Sequence, residues 1–356
     1  MFVREKHTQT SNFRSFPPGR EVVIPKRQAG VPTYFERDIS LEEFMTFKQL
    51  ALIITDKCTA NCRICCLESN PCGKQKLSFN LACSCIEQAS QVTGISSISF
   101  SGGEPFIFFD ELLNLIQVSK SHKLKSSCVT NGFWATTKAI AKEKLSALKQ
   151  AGLGAIKISY DEFHQEYVSP SNIAYIMAAS KELGLFCQMQ CVVTRSSSRL
   201  KDFLPLWGLD TLLIHFGEIP CLPVGRAKSH ISQSEFIYRD TIPRYPCKWM
   251  DDLTILPNGD VYPCCTQGGF TTLLKLGSAK NETLAKLIQH FSENRLYQVL
   301  SSHGPSWFLN LFYDAGEESL FQRNYVNLCH LCHEIFSNPK AISLIQKNLV
   351  EETKLP

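Results

Sequence analysis

The sequence lacks the features that would place it in several large classes of protein. Its 356 residues contain no long apolar run free of charges, so we expect no membrane-spanning segment and no membrane partner. The opening residues, MFVREKHTQT, lack the apolar stretch of a secretory signal, and we therefore expect a cytoplasmic protein. The formal net charge is only +4, which argues against nucleic acid as a partner. A hydrophobic fraction of 44% excludes a mainly disordered chain.

Cysteine is the residue that the sequence has in excess, with 16 copies. In a small secreted domain this number would indicate a disulfide framework, but here the chain is too large to need one and shows no export signal. In a reducing compartment, clustered cysteines more often bind metal or take part in chemistry. The positions of the cysteines therefore carry more information than their number.

Short apolar runs alternate with helical patterns between residues 50 and 216. Six of these runs are predicted to be buried strands: 50–55, 95–101, 126–132, 154–161, 186–194 and 211–216. Repeated strand–helix alternation predicts parallel βαβ units, an α/β fold that can curve into an open, partial barrel. In such folds the chemistry lies at the carboxyl ends of the strands.

The chain divides into three predicted parts. Residues 1–44 are rich in proline, glycine and basic residues and are predicted to be an extension, either substrate-dependent or a plain disordered tail. The alternation stops after Gly225, so we place a domain boundary near residue 228. The barrel then spans residues 45–228, and a second domain spans residues 229–356.

The first cysteine cluster, Cys58-Thr-Ala-Asn-Cys62-Arg-Ile-Cys65, follows the first predicted strand directly. Three thiolates suit a four-iron cluster with one iron left open, whereas a saturated cluster takes four. Zinc is the alternative, but zinc sites usually draw on further Cys or His ligands, and no His lies near. The second strand ends in Ser101-Gly-Gly-Glu-Pro105, where two glycines allow close approach of a ligand and Glu104 adds a carboxylate.

These two motifs together resemble the radical S-adenosylmethionine (SAM) superfamily. The resemblance implies a partial (β/α)6 radical SAM barrel, a SAM-binding [4Fe–4S] cluster on Cys58, Cys62 and Cys65, and an external electron donor. It also implies that SAM is cleaved to a 5′-deoxyadenosyl radical, which abstracts hydrogen from the substrate.

Residues for SAM itself are proposed from their position in the family pattern. Gly102, Gly103 and Glu104 would hold the methionine end of SAM. Further candidate contacts lie at strand ends, where each residue is about as able to cap a strand or helix: Asn131, Ser159 and Arg195.

A second set of four cysteines, Cys247, Cys264, Cys329 and Cys332, resembles the auxiliary-cluster domain of peptide-modifying radical SAM enzymes in its one-cluster form. A turn at residues 257–260 is expected to fold a hairpin that brings Cys264 back toward Cys247. The set then holds an auxiliary [4Fe–4S] cluster. Structural zinc is the alternative, with His330 and His333 as spare ligands that are otherwise surface residues.

Cys265 directly follows one of these predicted ligands. In an extended segment neighbouring side chains point to opposite sides, so Cys265 is expected to be a free thiol beside the cluster. The alternative is a small buried apolar residue.

Several stretches resemble one subgroup more closely, the YydG-type radical SAM peptide epimerases. They are 130–134, 158–164, 247–251, 258–265, 307–310 and 328–332. The resemblance implies conversion of L-residues to D-residues in a ribosomally made precursor peptide. It implies that Cys265 donates the returning hydrogen and that Asp251 supplies or orients a proton; the alternative role of Asp251 is to hydrogen-bond a turn near Cys247.

Other interpretations remain open from the sequence. Cys221, after the sixth strand, is a rival hydrogen donor without an adjacent cluster. The enzyme could instead form thioether or carbon–carbon crosslinks, or the protein could be a non-catalytic metal-binding or electron-carrier protein, against which the glycine motif and the six strands argue. The remaining cysteines divide into predicted core residues, Cys128, Cys187 and Cys191, and four without an assigned role, Cys66, Cys72, Cys83 and Cys85.

Overall fold

The computed structural model describes residues 47–203, 215–248 and 250–352. The extension predicted at residues 1–44 and the first part of the sixth predicted strand, residues 211–214, lie outside the described residues. All sixteen cysteines lie within them.

One nine-stranded sheet forms the centre of the described structure, in the order β6-β5-β4-β3-β2-β1-β7-β8-β9. The strands are β1 (Gln49–Ile53), β2 (Ser97–Ser101), β3 (Lys125–Thr130), β4 (Leu153–Ser159), β5 (Phe186–Val193), β6 (His215–Pro220), β7 (Asp252–Ile255), β8 (Asp260–Tyr262) and β9 (Gly277–Ser278). Strands β1 to β6 are parallel and lie side by side in chain order. This open parallel arrangement confirms the predicted α/β fold.

Helices cover this sheet and build the C-terminal region. They are α1 (Phe79–Gln91), α2 (Phe109–Ser121), α3 (Lys138–Ala151), α4 (Glu162–Gln165), α5 (Pro170–Leu183), α6 (Leu200–Phe203), α7 (Ala227–His230), α8 (Leu284–Glu293), α9 (Arg295–His303), α10 (Leu309–Asp314), α11 (Leu328–Ser337) and α12 (Pro339–Glu352). Among the described helices, none is long and apolar enough to cross a membrane.

The two faces of the parallel strands differ in chemistry. On the helix-covered face, alternate residues such as Leu50, Leu52, Ile98 and Phe100 are fully buried in the hydrophobic core. On the opposite face most of the alternate residues are small or polar, among them Ser97, Ser99, Ser101, Ser127, Lys157, Ser159, Gln188 and Gln190, whereas Ile53, Val129 and Val192 are apolar. This face is the concave side of a partial barrel, so the space that it lines is polar.

Strand β1 joins the two halves of the chain. It pairs in parallel with β2 on one side and with β7 on the other, where Gln49 lies opposite Asp252. Strand β7 continues antiparallel into β8, and Gly259 occupies the turn with a positive φ of 89°. The predicted hairpin is therefore confirmed, and one sheet runs across residue 228. The domain boundary at that residue stays a prediction.

Replacement of Leu52 by alanine tests this role of β1. Leu52 is fully buried on β1, the strand between β2 and β7. Its truncation should therefore lower the free energy of unfolding by about 2–5 kcal/mol. Unfolding in urea, followed by tryptophan fluorescence and circular dichroism, should still give one coincident transition. The exposed Glu87→Ala variant on α1 should unfold like the wild type. Two separated transitions in Leu52→Ala would contradict the joining role.

Candidate active site with two cysteine clusters

The loop that follows β1 carries the first cysteine cluster. Cys62 is buried, and Cys58 and Cys65 are half-buried. The loop turns back on itself, since the Cys65 amide donates to the carbonyl of Cys62 at 3.0 Å. The Cys58 sulfur accepts a hydrogen bond from the Ala60 amide at 3.5 Å. The three thiols thus lie on one folded loop at the carboxyl end of the parallel sheet, as the sequence predicts.

The glycine motif after β2 packs its backbone directly against this loop. The Gly103 amide donates to the Thr55 carbonyl at 2.6 Å, and the Glu104 amide donates to the Lys57 carbonyl at 2.9 Å. A Cβ atom at Gly103 would lie 2.1 Å from the Lys57 carbonyl oxygen, which is far inside van der Waals contact. The position therefore requires glycine because two backbones meet there.

The Glu104 carboxylate is directed into the protein. It is fully buried and accepts hydrogen bonds from the Phe106 amide at 3.0 Å, the Thr130 hydroxyl at 2.9 Å and the Asn131 amide at 2.7 Å. Burial raises the pKa of Glu104 to about 7, although these three donors favour the charged form. In the structure Glu104 ties the ends of β2 and β3 together. Its expected contact with SAM stays a prediction, as do those of Gly102 and Gly103.

Of the three strand-end candidates, Asn131 lies closest to the cysteine loop. Its side-chain amide donates to the Thr59 hydroxyl at 3.1 Å and to the Cys58 sulfur at 3.6 Å. Ser159 is half-buried at the end of β4. Arg195 is exposed, and its Nε donates to the Ser234 carbonyl at 3.0 Å. The contacts therefore favour Asn131 as part of the site and give Arg195 a bond to a neighbouring turn.

Asp161 is a further buried group at this end of the sheet that the sequence reasoning did not single out. Its side chain accepts from the amides of Phe163 and Val192 and from Nδ1 of His164 at 2.8 Å. Burial alone would lower the pKa of His164, but the adjacent Asp161 carboxylate outweighs it and raises the pKa. The Phe163 ring in turn lies under the Arg63 guanidinium at 5.0 Å from the ring centroid, beside the cysteine loop.

The second set of cysteines surrounds one apolar cavity. Cys247, Cys264, Cys329 and Cys332 all line it, together with Met250, Leu274, Leu300, Pro305 and Leu328. Four cysteine thiolates are the ligand set of a saturated [4Fe–4S] cluster, and here all four line one space. The residues present thus fit an auxiliary [4Fe–4S] cluster.

Two glycines leave the room that these thiols occupy. A Cβ atom at Gly269 would lie 2.2 Å from the Cys264 sulfur, and one at Gly268 would lie 2.3 Å from the Cys329 carbonyl oxygen.

His330, expected at the surface, is instead only 1% exposed; its Nδ1 accepts from the Val326 amide at 3.2 Å. That imidazole therefore supports the start of α11 from inside, and the surface expectation for it is wrong.

Cys264 and Cys265 point to opposite sides, as the extended segment predicts. The Cys264 sulfur lines the cavity, whereas the Cys265 thiol donates a hydrogen bond to Asp252 Oδ2 at 2.9 Å. Cys265 as a whole is exposed, so it is not the small buried residue of the alternative. Partial desolvation of its sulfur and the nearby Asp252 carboxylate both raise the pKa of Cys265, so this thiol keeps its hydrogen at neutral pH. Burial likewise raises the pKa of Asp252.

The aspartate beside Cys265 is thus Asp252 and not Asp251. Asp251 forms an ion pair with Lys48 at 3.4 Å. The Lys48 side chain is mostly exposed, and the Asp251 carboxylate is partly exposed. Asp252 Oδ1 instead accepts from Nε2 of Gln49 at 3.0 Å, on the concave face of the sheet. The charge of Lys157 on β4 acts to lower the pKa of Asp252, against the effect of burial. Its bond to Cys265 makes Asp252 a second candidate for the role that the resemblance implies for Asp251, which stays a prediction.

The two reactive elements lie at opposite ends of β1. Asp252 is level with Gln49 at the amino end, and the cysteine loop begins beyond Ile53 at the carboxyl end. Four residue steps of a parallel strand span about 13 Å. The polar concave face of the sheet lies between them.

Four further cysteines carry a prediction from the sequence. Cys128, Cys187 and Cys191 are buried in the main core, as predicted. Cys221, the rival donor, is 2% exposed in a small apolar cluster with Cys62 and Phe163.

Comparison with known proteins defines the class. Residues 52–182 match the Radical SAM superfamily, and residues 247–333 match an iron–sulfur cluster-binding domain known as SPASM. The chain therefore contains a radical SAM domain followed by an iron–sulfur cluster-binding domain. Its cofactors are SAM and [4Fe–4S] clusters.

Individual relatives extend the comparison. The chain is 25% identical over 304 residues to the "Putative peptide biosynthesis protein YydG" of Bacillus subtilis, covering 83% of this chain and 94% of that protein. Streptococcus suis SuiB bound to S-adenosylmethionine has a similar fold, with a TM-score of 0.51 and 20% identity over 73% of this chain and 70% of that one. The enzyme anSMEcpe with bound AdoMet gives a TM-score of 0.52 and 15% identity over 86% of this chain and 100% of that one.

The cavity geometry generates a prediction for Gly269→Ala. The added methyl group would displace the Cys264 thiol, so the reconstituted protein should lose the auxiliary cluster, about half of its iron. SAM cleavage at the first cluster should persist. Gly217→Ala is the matched control, because a Cβ there meets no atom within 4 Å. Iron per chain and 5′-deoxyadenosine formation are measured; a full iron content in Gly269→Ala would contradict the prediction.

Proposed function

We propose that this protein is a radical SAM peptide epimerase, which converts L-residues to D-residues in a ribosomally made precursor peptide. The observation that carries the proposal is the Cys265 thiol, held by Asp252 at the end of the sheet opposite to the SAM-cluster loop. A relative named for peptide biosynthesis supports a peptide as substrate. The polar concave face supports it too, since an extended peptide needs partners for its backbone groups.

The first step depends on the cofactors of the family. Cys58, Cys62 and Cys65 would hold the SAM-binding cluster, and bound SAM would supply the 5′-deoxyadenosyl radical that removes the Cα hydrogen. An external electron donor provides the electron for each such cleavage. The chain itself contributes the folded loop and the backbone of the glycine motif that fixes it.

The second step depends on the position of Cys265. A Cα centre that has lost its hydrogen is planar and accepts a new one on either face. Hydrogen leaves toward the carboxyl end of β1 and returns from the thiol at the amino end. The new hydrogen therefore enters the opposite face, and the residue is inverted.

Asp252 completes the cycle in this proposal. After giving up its hydrogen, the Cys265 sulfur needs one electron and one proton to become a thiol again. The electron would come from the external donor through the cluster that the neighbouring Cys264 would help to hold. The nearest carboxyl group is that of Asp252, whose Oδ2 lies 2.9 Å from the sulfur. Because burial raises its pKa, Asp252 holds a proton to a higher pH than an exposed aspartate and suits the role of proton donor.

Formation of a thioether or carbon–carbon crosslink requires no returning hydrogen. A thiol hydrogen-bonded to a half-buried carboxylate on the concave face would have no part in it. We also propose a cytoplasmic location, because clustered cysteines that bind metal are typical of a reducing compartment.

Turnover in D2O tests the assignment of Cys265. The exchanged thiol should deliver one deuterium to each inverted Cα, detected by mass spectrometry and chiral amino-acid analysis. Cys265→Ala should still form 5′-deoxyadenosine but lose inversion by at least about a hundredfold. The exposed Cys72→Ala variant is the control and should behave like the wild type.

Four outcomes would count against the proposal. Inversion without deuterium gain, or inversion that survives in Cys265→Ala, would exclude this thiol. Loss of inversion only in Cys221→Ala would move the role to the rival thiol. A product lighter by two hydrogens would indicate a crosslink.

A pair of neighbouring substitutions separates the two aspartates. Asp252→Asn should slow steady-state turnover by about a hundredfold, because the carboxyl group that resets the thiol is gone. It should still invert about one residue per enzyme in the first turnover, since the thiol starts with its hydrogen. Asp251→Asn removes only a surface ion pair and should stay within about twofold of the wild type. Equal damage from both substitutions, in a rapid-quench time course, would refute the assignment.

A further inference from the structure

We propose that Arg226 is a positioning residue for the SAM-cluster loop. It follows β6 in sequence, 164 positions after Cys62, yet its guanidinium reaches the loop. One terminal nitrogen donates to the Cys62 carbonyl at 2.7 Å. The other donates to the carbonyls of Glu68 at 2.7 Å and Ser69 at 2.8 Å.

The backbone of the same residue makes a fourth contact. The Arg226 amide donates to the Cys65 carbonyl at 3.0 Å. Two of the three predicted ligand residues are thus held by their carbonyl groups, and the segment that follows them is held at Glu68 and Ser69. A single residue therefore fixes both the second half of the cysteine motif and its exit.

Gly225 provides independent support for this close approach. A Cβ atom there would lie 2.4 Å from the Cys66 carbonyl oxygen and 2.8 Å from that of Cys65. Its φ of 54° is also in the left-handed region that favours glycine. The Gly225–Arg226 pair is thus built to press against the loop, and any side chain at 225 would push it away.

The chemistry of the contact requires arginine. Three carbonyl groups in different directions need a planar donor with several fixed N–H bonds, which the guanidinium provides. Lysine would bring one compact charge and could not span them. Charge-assisted bonds to carbonyls are also stronger than neutral ones, so the loop is held in place before a cluster binds.

This inference rests on the proposed ligands Cys58, Cys62 and Cys65 but not on epimerisation. In this proposal the cysteine loop after β1 is held by a residue that follows β6, so the first and the last parallel strand both contribute to the site. Arg226 touches carbonyl groups of the loop and not the reacting atoms. Its role is therefore positional.

The test uses full-length protein reconstituted anaerobically, without peptide. Arg226→Gln should release iron from the first site to a chelator about tenfold faster than the wild type, while the auxiliary site is unchanged. The change that SAM produces in the electron paramagnetic resonance spectrum of the reduced first cluster should be weakened. Added methylguanidinium should restore the slow iron release and the spectral change in Arg226→Ala. The Arg226→Lys variant should retain both only in part.

Arg199→Gln is the matched control. Its guanidinium also donates to a backbone carbonyl, that of Thr194 at 3.0 Å, so a general effect of losing such a bond would appear there. Wild-type iron release and an unchanged spectrum in Arg226→Gln would overturn the proposal. Equal loss from both sites, together with earlier melting of the iron-free variant, would show a role in fold stability alone and would also overturn it. Because no peptide is present, none of these results depends on whether the protein is an epimerase.

Discussion

The parallel pairing of β1 with both β2 and β7 is the constraint on which the rest of the structure depends. It fixes the cysteine loop at one end of a strand and the Asp252–Cys265 pair at the other. A five-residue strand allows little variation in that distance. The two sites are therefore held apart by the same hydrogen bonds that hold the sheet together, and the space between them has a set length.

The first site is built mostly from backbone contacts between segments that are far apart in sequence. Carbonyl groups of Thr55 and Lys57 accept from the glycine motif after β2, and those of Cys62 and Cys65 accept from Arg226. Backbone groups keep the same geometry whatever side chains surround them. A loop held in this way is fixed by its backbone on both sides of the thiols, so that the thiols do not have to hold the loop in place themselves.

Much of the fold followed from the sequence because its elements are local. Helices α2 and α3 carry clear periodic patterns, and Gly152 marks the end of α3 with a φ of 122°. The residues 281–300 show one helical pattern in the sequence, but they form two helices, α8 and α9, because the Asn294 side chain caps α9 by accepting from the Leu296 amide. Such a break depends on one side-chain choice, which a periodic pattern does not register.

The site could be predicted only where chemistry and spacing coincide. The cysteine motifs meet this condition. The choice between Asp251 and Asp252 does not, because it depends on which carboxylate faces the concave side of the sheet, and two neighbouring aspartates look alike in the sequence. Arg226 and Asp161 were missed because their partners are carbonyl and amide groups, which leave no pattern in the sequence. A glycine before an arginine after the last strand was the available signal.

The open edge of the sheet has a topological consequence. In the described part of the chain β6 pairs only with β5, so the parallel strands do not close into a ring. A polymer can enter a closed ring of strands only by one of its ends, whereas an open sheet can also accept an internal segment of the polymer from the side. Internal positions of a long chain are then as reachable as its termini, and successive positions can be presented without releasing and rethreading the whole molecule.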